Sequence, residues 1–203
     1  MVRTRSSGTA HGAGTVRCRS GQSEGVSDAV EVSTVVYISP EEAYDFIVDF
    51  PRYARYSKYL SRVTQNGDGH PGTEYDLHFE WWKLSYTARS RVTDTEPPRR
   101  LDWQIIKDLD AAGQWHIEPL PDSEVPADRE HAVRVRLDID FHPQSANTDA
   151  LELPRFVNLS WVVEKVKPLV QEEAERVVRR IVADLEGETR DVDLEIHKTP
   201  DRV

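Results

Sequence analysis

Between Ser160 and Gly187, Val162, Val166, Leu169, Val170, Ala174, Val177, Val178, Ile181, Val182 and Leu185 recur at steps of three and four. That period puts them on one face of an α-helix. Charged residues fall opposite, and Glu172–Arg176 and Glu175–Arg179 have the acid-before-base order that favours i,i+4 pairing. Gly187 stands where a C-cap is expected. From Trp161 to Glu186 such a helix would be about 39 Å long. Its stripe, with Val170, Val177 and Ile181 at the centre, needs a long concave partner. Pro168 lacks a backbone donor and predicts a kink or break inside the helix.

The partner is written earlier in the chain as alternation. AVEVSTVVYI (29–38) is β-branched and reads as a first strand. SPEE follows, with Ser39 as N-cap, Pro40 at the first helical position and Glu42 three residues after the cap. Ala43, Phe46, Ile47 and Phe50 form the stripe of that helix, Pro51 ends it, and 52–60 predicts a second short helix carrying Tyr53, Tyr56 and Tyr59. Six strands come next. SRVTQ runs into Asn66-Gly67, a hairpin signal. TEYDLHFEW sets Tyr75, Leu77, Phe79 and Trp81 against Glu74, Asp76, His78 and Glu80. The stretch 83–95 presents Leu84, Tyr86, Ala88 and Val92, RLDWQII presents Leu101, Trp103 and Ile105, and AAGQWHIEPL presents Trp115 and Ile117. HAVRVRLDIDF sets Val133, Val135, Leu137, Ile139 and Phe141 against Arg134, Arg136, Asp138 and Asp140, which are expected to form exposed cross-strand pairs. Even alternation means half-buried antiparallel strands. The predicted fold is α+β, a curved antiparallel sheet wrapped around a long C-terminal α-helix.

Composition narrows the function more than the fold. The chain has 203 residues, 38% of them hydrophobic, which suits one domain with tails. No apolar run reaches the ~18 residues of a membrane span. The net charge of −10 argues against general nucleic-acid binding. Only six of the 26 basic residues are lysine, against 36 acids, a balance that suits a halophilic, cytoplasmic protein. Residues 1–27 are basic and poor in apolar side chains. They read as a disordered tail, with a mitochondrial-matrix transit peptide as the second reading. Residues 28–188 form the predicted domain, and 189–203 a C-terminal tail without strong pattern. The lone Cys18 excludes an intrachain disulfide and a Cys-rich zinc site.

The entry segment SPEEAYDFIVDFPRYARYSKYL, with Phe50-Pro51-Arg52-Tyr53 at its centre, and the order of elements over 30–187 resemble the START-like (SRPBCC) helix-grip superfamily. That superfamily includes polyketide cyclases, lipid-transfer domains and coenzyme-Q-binding proteins, and the coenzyme-Q-binding branch is nearest in look. The resemblance implies a cavity between sheet and long helix that binds a small hydrophobic ligand such as a lipid or isoprenoid quinone. It carries over no catalytic residue and no cofactor. Two other activities are implied by the same superfamily: a polyketide cyclase or dehydratase, and a protein-interaction module of the ribosome-association toxin type. Transient membrane contact is compatible with a lipid ligand, and oligomeric state is left open.

The candidate ligand-binding residues are Tyr75, Phe79, Trp81, Tyr86, Trp103 and Trp115, the aromatics that alternation points to the concave face. Core filling is the competing role for each of them singly. The histidines make no HExxH or other ligand spacing, and His78, Glu80 and His116 read as solvated residues of the outer face, so no metal is expected. There is no GxSxG nucleophile elbow and no Gly-rich phosphate loop.

Overall fold

The computed structural model describes residues 28–81, 84–142, 145 and 159–198; for Trp81, Leu84 and 159–172 the backbone alone is described. Eight antiparallel strands form one sheet in the order β2-β3-β4-β5-β6-β7-β1-β8. They are β1 (Asp28–Val36), β2 (Leu60–Asn66), β3 (Glu74–Trp81), β4 (Leu84–Glu96), β5 (Arg100–Ile105), β6 (Asp110–Pro119), β7 (Val133–His142) and β8 (Glu195–Lys198). Helix α1 spans Pro40–Val48 and α2 Leu159–Glu186. The predicted helix-grip architecture is the one observed: a large antiparallel sheet with a long C-terminal helix.

The register converts alternation into rows across the sheet. Val92, Trp103, Gly113, Ile139 and Val30 stand side by side on five neighbouring strands. The next row runs Leu101, Trp115, Leu137, Val32. These rows make the concave face. The opposite face carries charge in register: Arg89 is bonded to Asp76 at 2.7 and 3.0 Å, and Arg91 to Glu74 at 3.1 Å. Arg136 Nε lies 3.2 Å from Asp138 of its own strand, and Asp138 also meets His116 at 3.2 Å.

Helix α1 starts at the expected capping box: Glu42 N donates to Ser39 Oγ at 3.3 Å, and Ser39 N to Glu42 Oε2 at 2.9 Å. Ala43, Phe46 and Ile47 are its buried stripe. The second helix differs from expectation. It is a 3-10 turn at Phe50–Arg55, not a helix over 52–60. Leu60 is taken into β2 opposite Phe79, and Tyr59 O accepts Glu80 N at 2.8 Å, so sheet pairing claims the residues that helical spacing suggested.

Helix α2 starts two residues before Trp161 and runs unbroken through Pro168, so the break does not occur. Gly187 takes φ +74°, the left-handed C-cap. Val182 is 1% exposed, and Val177 and Ile181 pack against the core. Glu175–Arg179 pair at 3.5 Å, whereas Arg176 reaches Glu173 at 2.7 Å. The side chains of Val170 and Glu172 lie outside the described residues.

Part of the segment expected as a patternless tail joins the sheet as β8. The outer edge of β1 offers unpaired backbone groups, and four residues suffice to meet them. Side chains fasten the strand: Ser33 Oγ lies 2.8 Å from His197 Nε2, and Lys198 3.2 Å from Glu31. A strand this short and exposed leaves no periodic signal. Residues 1–27 lie outside the description. Among the described residues no helix is long and apolar enough to cross a membrane.

Candidate functional site: an apolar cavity under the long helix

Large aromatics and β-branched residues on the concave rows hold α2 away from the sheet. The space left is a cavity of about 600 Å³, within the range of small-molecule sites. Leu77, Phe79, Ala88, Ser90, Trp103, Ile105 and Trp115 form its sheet side, Phe46 and Ile47 of α1 one flank, and Val177, Val178, Ile181 and Leu185 of α2 the roof. The wall surface is almost wholly apolar.

Polar contacts clamp the roof on both sides. Along one side, Glu173 accepts from Lys58 N at 3.0 Å, Arg180 donates to Tyr56 O at 3.0 Å, and Asp184 receives Tyr56 OH at 2.5 Å and Arg52 at 2.6 Å. The Tyr56 hydroxyl and then the Arg52 guanidinium hold the Asp184 carboxyl below its usual range. Along the other, Glu186 accepts from Tyr37 N at 2.9 Å, and Arg190 bonds Glu186 at 2.8 Å and Val35 O at 2.7 Å. These bonds compensate for the van der Waals contacts that a cavity removes from beneath a helix.

The described lining side chains include no Asp, Glu, His, Lys or Arg. Their one ionisable group is the Tyr53 phenol. Burial drives its pKa far above the ordinary value, and its hydroxyl already donates to Ile47 O at 2.6 Å. Among the described residues the wall therefore has no group that titrates near neutrality. Four buried side-chain polar atoms lack a hydrogen-bond partner among the described residues: Ser90 Oγ, Trp103 Nε1, Arg100 Nε and Asp102 Oδ1. The last two face each other at 3.6 Å in an ion pair. The first two belong to cavity-lining residues.

Of the six aromatics expected on the concave face, Phe79, Trp103 and Trp115 line the cavity. Phe79 is 37% exposed and so stands at its edge. Trp103 lies flat across Gly113: a Cβ there would sit 2.3 Å from Cζ2 and 2.6 Å from Cε2 of the indole. Only glycine at that cross-strand position admits the ring. Tyr75 is elsewhere. It is 1% exposed and stacks on Phe50 at 4.5 Å, which makes it core. Tyr86 is half-buried outside the wall, and burial raises its phenol pKa. The Trp81 side chain lies outside the described residues. The expectation missed Ser90, which shares strand parity with Ala88 and Val92; parity was its signal, and its polarity hid it. It also missed the α1 and α2 residues, which helical stripes mark as buried without telling core from cavity.

On the outer face His78 Nδ1 lies 3.0 Å from Thr87 Oγ1. No group of three His, Cys, Asp or Glu among the described residues is placed to hold a metal ion.

Residues 27–182 match the family described as polyketide cyclase / dehydrase and lipid transport. Among solved structures, the chain resembles the Zhui aromatase/cyclase from Streptomyces sp. R1128 at a TM-score of 0.57 and 16% identity, over 79% of this chain and 94% of that one. It also resembles the di-domain ARO/CYC StfQ from the steffimycin biosynthetic pathway at a TM-score of 0.52 and 14% identity, over 79% of this chain and 51% of that one. At these identities the likeness is one of fold. No curated protein matches the chain in sequence.

Proposed function

Since the chain belongs to the polyketide cyclase / dehydrase and lipid transport family, we propose that it binds the hydrocarbon part of a small neutral molecule, a lipid or isoprenoid quinone, in the cavity beneath α2. The observation that carries this reading is the wall: almost wholly apolar, with no described side chain that titrates near neutrality. Binding proceeds by desolvation. Apolar ligand surface leaves water at about 25 cal/mol per Å², and aromatic faces at Phe79, Trp103 and Trp115 supply dispersion contacts. Tyr75 and Tyr86 remain in the proposal as neighbours of that wall and not as its surface, and Trp81 remains a candidate whose side chain lies outside the described residues.

The cyclase or dehydratase reading draws on the same family and on the titles of the two solved structures. The wall weighs against it. A poly-β-ketone carries an oxygen on every second carbon, and each carbonyl buried without a donor costs about 1–3 kcal/mol. The interaction-module reading is weakened by the cavity, since that reading expects a filled interior with an exposed apolar patch.

Native mass spectrometry of protein purified from cells, followed by solvent extraction, tests the proposal. A co-purifying neutral lipid or quinone, displaced by added menaquinone with a change in tryptophan emission, is the expected result. Absence of saturable binding of menaquinone and of phospholipid would overturn it.

A further inference from the structure

A ligand with no oxygen at all would leave two features of the wall unexplained. Ser90 is 2% exposed, and its hydroxyl has no partner among the described residues. Trp103 Nε1–H, one strand away on β5, has none either. An unpaired buried hydroxyl or N–H is costly, and alanine or phenylalanine would serve an apolar wall better. The two residues are close. Ser90 lies opposite Ile105 and Trp103 opposite Val92, so they are diagonal neighbours on adjacent strands of the concave face. Diagonal Cβ atoms of this kind are about 7–8 Å apart.

The other hydroxyl-bearing lining side chains of the described wall have partners. Thr34 Oγ1 donates to Asp193 O at 2.9 Å, Ser33 Oγ meets His197 at 2.8 Å, and Ser57 Oγ accepts from Tyr59 N at 3.2 Å. Tyr53 is bonded to Ile47 O. Ser90 and Trp103 stand apart from them. Their polar atoms present almost no surface in the empty cavity. Rotation about Ser90 χ1, a change between staggered wells, would carry Oγ to the cavity side. Gly113 gives the Trp103 indole its seat.

We infer that Ser90 Oγ and Trp103 Nε1 form a polar subsite that takes up one acceptor oxygen, of the carbonyl type, on an otherwise hydrocarbon ligand. This deepens the cavity-binding reading and rests on it. The subsite accounts for both orphaned atoms and limits the ligand. The indole can only donate, so the ligand must accept. Two donors serve one or two oxygens, which suits a quinone or a monoketone and not a chain with many carbonyls.

The test uses the full chain and two probes of matched shape, benzophenone and diphenylmethane, which differ by the carbonyl oxygen. Calorimetric titration should show both binding to the wild type, benzophenone about 5- to 10-fold more tightly, the ratio of one net hydrogen bond. Ser90→Ala should remove most of that preference by weakening benzophenone alone, and Trp103→Phe, which also trims the wall, should weaken both probes while lowering the ratio between them. The infrared carbonyl stretch of bound benzophenone should lie below its value in hydrocarbon solvent and move back up in either variant. Without ligand, Ser90→Ala should melt no lower than the wild type, because it discards an unpaired hydroxyl. If benzophenone keeps its preference and its shifted stretch in both variants, the subsite is refuted while the cavity stands. If Ser90→Ala alone melts several degrees lower, the hydroxyl has a structural role and the subsite is again refuted. If neither probe binds the wild type, the cavity reading itself falls.

Discussion

Leu101 and Ile105 test whether the space under α2 is a true cavity. They share strand β5 and its concave face, and each loses three carbons on substitution by alanine. Leu101 is 1% exposed and closed in by the core; Ile105 is half-buried and lines the cavity. For Leu101→Ala the lost transfer energy is about 2.4 kcal/mol at ~0.8 kcal/mol per CH₂. A residual void of roughly 50 Å³ adds about 1.2 kcal/mol at ~24 cal/mol per Å³. The sum is about 3.6 kcal/mol. Ile105→Ala creates no new void, because it widens one already present, and its partly exposed side chain forfeits only the transfer energy of its buried part, roughly 2 kcal/mol. With about 2–4 °C per kcal/mol for a chain of this size, Leu101→Ala should melt at least about 3 °C below Ile105→Ala. Calorimetry and urea titration with equal m-values provide the comparison. Equal losses at the two positions would mean that ligand-sized space is absent beneath Ile105.

Three further outcomes follow from the clamp and the charge. Asp184 has a folded pKa below its unfolded one, so its contribution is full above the ordinary carboxylate range and is lost as pH falls through the lowered value. The melting-temperature gap between wild type and Asp184→Asn should therefore be widest near pH 7 and close in strong acid; a gap independent of pH would refute the pairing with Tyr56 and Arg52. Glu173→Ala leaves the Lys58 N–H without its acceptor and should cost about 1–3 kcal/mol, whereas Glu175→Ala, in an exposed i,i+4 pair, should cost ~0.5 kcal/mol or less; equal urea midpoints would show that Glu173 is no clamp. A surplus of ten acids predicts a melting temperature that rises with potassium chloride as repulsion is screened, and circular dichroism showing equal stability in low and molar salt would remove the halophilic expectation.

Period and capping carried the architecture. The 3.6-residue stripe of α2, the Ser39 capping box and the two-residue alternation of β3 to β7 are local properties, each set by backbone geometry over a few neighbouring residues, so the sequence alone sufficed for them. The same alternation placed Phe79, Trp103 and Trp115 on the concave side. It could not separate Tyr75 from them, because all four share a face, and what sends Tyr75 into the core is Phe50, 25 residues away in the chain and stacked on its ring. Leu60 went to a strand because β3 was there to pair with it, and residues 195–198 became β8 because the edge of β1 was free. Gly113 and Trp103 depend on each other across two strands, and a glycine in a strand pattern reveals no ring lying over it. Ser90 is the extreme case. Its hydroxyl is ordinary in sequence and becomes a candidate contact only when the fold buries it in a cavity wall with no partner among the described residues. Local residues determine which way a side chain faces; whether it meets a core, a cavity or water is decided by the elements that arrive opposite, and no local pattern encodes them.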